Sequence, residues 1–138
     1  IDRNKCIACG KCVSVCPAKA IVNAEDLERK QLFLERLVEY AKTTTTYKNS
    51  LYINIIINVS PDCDCSRNPT KPFISDIGIL ASTDIVAIEA AAHDLVDKAH
   101  SCDDAFLKEN SVSGKHQINY AESMGMGTKK YRLISIDK

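Results

Sequence analysis

The sequence contains no tryptophan, and aromatic residues make up only 6% of its 138 positions. A core built from it has to be mainly aliphatic, and with 45% hydrophobic residues there is enough material for one domain, or one small domain plus an appended module. An excess of charge is missing too: 18 Lys and Arg balance 18 Asp and Glu, for a formal net charge of zero. With no basic stripe either, the chain lacks the electrostatic footprint of nucleic-acid binding or of docking on anionic membranes. No apolar run approaches the roughly 20 residues that cross a bilayer, and the N-terminus lacks the charged-then-apolar pattern of a secretory signal. The expected setting is the cytoplasm. Internal repeats, a Gly-rich phosphate loop, a GxSxG turn and a catalytic triad are also absent from the pattern.

Cysteine, by contrast, is plentiful. Of seven cysteines, four crowd into CIACGKCVSVCP as Cys6, Cys9, Cys12 and Cys16. Disulfides between such near neighbours would close small strained loops, whereas reduced thiolates at this spacing suit a metal centre in a reducing compartment. Cys6-x-x-Cys9-x-x-Cys12-x-x-x-Cys16-Pro17 has the spacing of the bacterial ferredoxins. Three thiolates with two residues between them let a short loop wrap a cubane so that each sulfur reaches a different iron. Gly10 frees the backbone to turn between ligands, Pro17 leads the chain away, and Ala18 and Ala20 permit close packing. A zinc site ordinarily takes two CxxC pairs a dozen or more residues apart, which this overlapping run does not supply.

The expected cofactor is therefore a 4Fe-4S cluster held by Cys6, Cys9, Cys12 and Cys16. In two-cluster ferredoxins the fourth cysteine of such a run ligates the other cluster, so Cys16 can belong to a second cluster. The missing ligands then come from an upstream run, from Cys63, Cys65 and Cys102 folding back, or from a partner. The chain starts at Ile1 without a methionine, directly before the run, so a piece of a longer protein is expected.

Cys63 and Cys65 flank Asp64 in PDCDC, within the long proline-rich loop SPDCDCSRNPTKPF, where the pair can clamp a metal. Asp76 beside that loop is a further candidate, and Cys102 is expected to be incidental. Glu89, His93 and Asp97 recur at i,i+4 intervals. They fall off the apolar stripe of their helix, so a solvated face is expected. His100 and His116 lie in polar surroundings without partner spacing.

Hydrophobic periodicity predicts a helix over 24–42, with Asn23 at its cap and Glu25 paired to Arg29. Leu34, Leu37, Val38 and Ala41 share its apolar face, Glu28, Glu35, Arg36 and Glu39 point away, and TTTT at 43–46 ends it. LYINIIINV at 51–59 reads as a central strand, with Leu51, Ile53, Ile55, Ile57 and Val59 on one aliphatic face and Tyr52, Asn54, Ile56 and Asn58 on the other. IGIL at 77–80 is a second strand. Asp84 then caps a helix carrying Ile85, Ile88, Ala92, Leu95 and Ala99. Residues 100–116 read as irregular, a helix near 116–124 ends at Gly125, and 131–136 reads as a last strand. The fold class is α/β: a ferredoxin-type iron-sulfur module at 1–22 joined to an α/β layer at 23–138, with α+β as the variant.

IDRNKCIACGKCVSVCPAKAI, FLERLVEYAK, YINIIINVSPDCDC, DIGILASTDIVAIEAAAHDLV and QINYAESMGMGTKKYRLI together resemble the uncharacterised Fe-S center proteins of the domain of unknown function 362 family. The resemblance implies a longer chain with an N-terminal α/β portion and two adjacent ferredoxin runs, of which this one is similar to the second. It also departs from the family at Ile85, where a proline is usual, and at His93, where an aromatic is usual. Expected functions are single-electron transfer to a redox partner protein or, alternatively, a redox or metal-dependent enzyme with PDCDC at its active site and the cluster as its relay.

Overall fold

A computed structural model describes residues 2, 5–6, 10–18, 20–21, 27–46, 48–61 and 70–136, with backbone alone at 27–29. Among the described residues seven elements follow in order: α1 (Lys11–Val15), α2 (Leu27–Thr45), β1 (Tyr52–Ile56), β2 (Gly78–Ser82), α3 (Ile85–His100), α4 (Ala105–Asn110) and α5 (Lys115–Ser123). The mixed α/β class expected from sequence is the one observed. No described helix is long and apolar enough to cross a membrane.

The sheet has two antiparallel strands, with Tyr52 opposite Ser82, Asn54 opposite Leu80 and Ile56 opposite Gly78. Among the described residues β1 is thus paired on one side only, where a central strand would be flanked on both. Alternation along it sends Ile56 inward, where it is buried with Ala92, Val96 and Ala105 and meets Phe73, Leu80 and Phe106. The aliphatic set points the other way: Leu51, Ile53, Ile55 and Ile57 are exposed, and only Val59 joins the core. Three inward positions of β1 suffice to dock the sheet on α3.

Helix α3 is the centre of the molecule, packed on the sheet, on α4 and on α5. Alanines at 87, 90, 91 and 92 are all buried, and their small side chains let neighbouring elements come close on more than one side. A second cluster joins Val86 and Ala90 to Ile118, with Ile85, Ala121 and Met126 around it. Asp84 caps the helix as expected, its Oδ1 accepting from the N–H groups of Val86 (2.8 Å) and Ala87 (2.9 Å).

Helix α2 runs on to Thr45 instead of stopping at Ala41 and Lys42. The threonine hydroxyls donate back to carbonyls of the preceding turn, Thr43 to Tyr40, Thr44 and Thr45 to Ala41, and Thr46 to Lys42, which keeps their polar groups satisfied inside a helix. Val38 is its buried anchor, while Leu37 is exposed. Glu35 and Glu39, though partly exposed, reach α5, bonded to His116 Nε2 (2.9 Å) and to the hydroxyl of Tyr120 (3.1 Å). The expected cap at Asn23 and the Glu25 to Arg29 pair lie outside the described side chains.

Two expectations further along are corrected. The stretch 100–116 contains α4, capped by Asp104, whose Oδ1 accepts from Leu107 N at 3.0 Å. Residues 131–136 form no strand and are exposed, because a β-branched segment needs a partner edge and this one is tied to α3 through the Tyr131 hydroxyl and Asp94 (2.6 Å). Gly125, at φ 72, supplies the left-handed turn predicted after α5.

Candidate metal centre

The cysteine run is built round one turn. Gly10 takes φ 71 and ψ −7, a left-handed conformation that costs a glycine little, and its carbonyl accepts from Val13 N and Ser14 N, both at 3.0 Å. That starts α1 with Cys12 in its first turn. The helix ends at Cys16, at φ −74 and ψ 109, because a residue preceding proline is pushed out of the helical region by the Pro17 ring. Gly10 and Pro17 therefore change the chain's direction between Cys9 and Cys12 and again at Cys16.

Cys6 is exposed, Cys12 and Cys16 are half-buried, and neither these three nor Cys102 forms a disulfide. α1 buries none of its residues, so these thiols are not held in a hydrophobic core. As a donor set, reduced cysteines on an open turn fit the chemistry of an iron-sulfur cluster. Among the described residues no three Cys, His, Asp or Glu side chains converge on one point. Cys9, Cys63, Asp64 and Cys65 lie outside the described residues, while Cys102 packs against the Ile56 cluster.

Of the trio on α3 only Glu89 is exposed, so the expected solvated face does not extend to His93 and Asp97. Asp97 is 8% exposed; its Oδ1 accepts from Ala105 N (2.8 Å) and its Oδ2 pairs with Lys115 Nζ (2.8 Å). That hydrogen bond holds the Lys115 ammonium above its ordinary pKa. Lys115 also donates to the carbonyl of Asp103, and Ser113 Oγ to Asp104 Oδ2, so one ion pair stitches α3 to both ends of the α4 segment. The doublet Asp103-Asp104 ahead of AFLKEN is the sequence signal that would have found this cap.

His93 sits half-buried beside the Phe106 ring, centroids 5.1 Å apart, with its Nδ1 buried and unpartnered. Burial pushes its pKa down, outweighing the opposing pull of Asp97 and Asp104. Its Nε2 edge lies where a methyl group on Gly114 would stand, so that position has to be glycine for the close approach.

Glu89 reaches solvent at the mouth of a cleft of about 110 Å³ between α2, α3 and α5, lined by Val38, Val86, Ile118 and Ala121. The protein around it disfavours its charged form and raises its pKa, an effect its solvent contact limits. Asn54 Nδ2 donates to its Oε1 at 3.4 Å. Asp76 Oδ1 accepts from Asn58 N at 2.8 Å and holds that asparagine at φ 50, a left-handed turn three residues before Pro61. His100 bonds Glu109 (3.0 Å) and meets Phe73 edge-on, so it and His116 both have partners that sequence spacing did not reveal.

Asp84 is more than a cap. Its Oδ2 also accepts from Thr128 N at 2.9 Å, and Gly127 packs so closely on the carboxylate that a methyl group would overlap it. DIGILASTD and GMGT, distant in sequence, meet at this one carboxylate. A family model described as Domain of unknown function (DUF362) matches residues 7–94, a span from the cysteine run to the middle of α3. Neither a search of curated proteins nor a search of solved structures found a match.

Proposed function

Because the chain belongs to the DUF362 family, whose description states no activity, we propose a function from the chain's own residues: single-electron transfer to and from a redox partner protein through a 4Fe-4S cluster in the 1–22 module, beside the α/β domain. The observation that carries this is the spacing Cys6, Cys9, Cys12, Cys16, Pro17. When bound, the cluster supplies reversible one-electron chemistry. Cys6, Cys9 and Cys12 hold it as thiolates, and Cys16 completes it or serves a second cluster shared with another segment. Gly10 and Pro17 set the turns between these ligands.

Asp76 accepts from Asn58 N–H and Asn54 donates to Glu89, so both side chains take part in local structure. Anaerobic reconstitution with ferrous iron and sulfide, followed by iron and sulfide counts and by EPR after dithionite, tests the proposal. The expected result is about four irons per chain with a reducible signal, lost in Cys12→Ser and kept in Cys63→Ser/Cys65→Ser. Iron retention equal in the wild type and in Cys12→Ser overturns it.

A further inference from the structure

The outward face of the sheet is the largest feature that the fold leaves without a role. Leu51 (66% exposed), Ile53 (63%), Ile55 (56%), Ile57 (49%) and, on β2, Ile79 (69%) lie side by side there. Ladder register places Ile53 across from Ala81 and Ile55 across from Ile79, so the apolar positions run across both strands as well as along one. Scattered exposed aliphatics are ordinary, but a contiguous patch of several hundred Å² marks a contact surface.

We propose that this face is the contact between two copies of the chain, packed sheet on sheet about a two-fold axis. The five exposed side chains are all aliphatic, and an aliphatic surface is complementary to itself about a two-fold axis. At about 100 Å² for each aliphatic side chain, five of them bury roughly 500 Å² per copy and about 1,000 Å² in total, the lower limit for a specific interface. Ile55 lies in the middle of the patch and so next to the axis. Ala81 leaves one corner of the face low and Ile79 makes the other high, a relief that a two-fold copy can interdigitate. An interface of this size gives a dimer that dissociates on dilution.

Sedimentation velocity on the full chain in reducing buffer, from about 1 µM to about 500 µM, reads this directly across the range expected for small interfaces. The wild type is expected to pass from monomer to dimer over the series. Ile55→Lys should stay monomeric throughout with an unchanged far-UV circular dichroism spectrum. Ile53→Thr/Ile55→Thr, which keeps β-branched side chains in the strand, should weaken the dimer at least tenfold and guards against a misfolded lysine variant. Leu107→Lys, exposed on α4 and away from the patch, should dimerise as the wild type does. A wild type that is monomeric at every concentration overturns the proposal and means that a different molecule or segment covers the face. A dimer that survives both isoleucine variants overturns it as well.

Discussion

Helix α1 buries none of its five residues, whereas α3 buries eight of its sixteen. The two regions hold their shape by different means. In α3 the fold is carried by side-chain packing and by carboxylates that each satisfy several backbone donors. In the cysteine run it is carried by a glycine turn and a proline stop, with the thiols facing outward or half-buried. The most specific chemistry in the sequence thus sits on the part with the least packing, which is the arrangement expected where a bound group organises its own ligands.

Removing the anchors of α3 should have the largest effect on stability. Asp97→Ala deprives Ala105 N–H of its acceptor and leaves the Lys115 ammonium without its carboxylate. Breaking a buried pair costs about 3–5 kcal/mol, and because Lys115 is partly exposed the loss here should be about 3 kcal/mol, read from denaturant unfolding. Asp97→Asn keeps an acceptor for Ala105 and should lose less. Asp84→Ala comes next, at about 2 kcal/mol, since one carboxylate caps α3 and receives Thr128 N–H as well. If Asp84→Ala unfolds at the same denaturant concentration as the wild type, the meeting of DIGILASTD with GMGT has no energetic weight.

A smaller effect comes from pH. Burial disfavours the charged form of His93, so its folded pKa lies below the ordinary value. Above about pH 6.5 the ring is neutral in both folded and unfolded chains and contributes no pH dependence. As pH falls below that value the unfolded chain takes up the proton first, and stability declines until the folded pKa is passed. The charges that face the ring, Asp94, Asp97, Asp104 and Lys115, set how far the decline extends. His93→Phe should flatten the slope of stability against pH between about 6.5 and the folded pKa, leaving the carboxylate titrations at lower pH in place. An unchanged slope in that variant would assign the dependence to another group.

Much of the fold was legible because local signals and packing agree where the chain is strongly patterned. The Asp84 cap, the two strands and the Gly125 turn follow from short-range chemistry. The α3 carboxylate knot was not legible, because an i,i+4 spacing states only that Glu89, His93 and Asp97 are neighbours on a helix. Whether such a row meets water or α4 depends on the chain that follows. The same limit applies to β1, whose strict alternation defines two faces without saying which one is docked. For the cysteine run the spacing itself is the ground of the proposal, because ligand chemistry there is local. For PDCDC and Cys9 the pattern stands by itself, since those residues lie outside the described part of the structure.

The smallest effect, and the one that sharpens the contrast most, belongs to the cysteines themselves. In the metal-free chain, Cys12→Ser should change unfolding free energy by no more than about 0.5 kcal/mol, because α1 contributes no buried residue and the substitution is nearly isosteric. After anaerobic reconstitution the wild type should gain stability that Cys12→Ser does not, since a group that binds only the folded chain stabilises it by mass action. Thermal melts of both proteins with and without reconstitution give the four values needed. A large loss in the metal-free variant would show that Cys12 is part of the fold's own packing, and the contrast between an organising ligand set and a self-supporting α3 would fail. A small loss without metal, together with a gain on reconstitution that only the wild type shows, would place the two regions under separate control. Under that control α3 folds by burying its side chains, and the cysteine turn is ordered by what it binds.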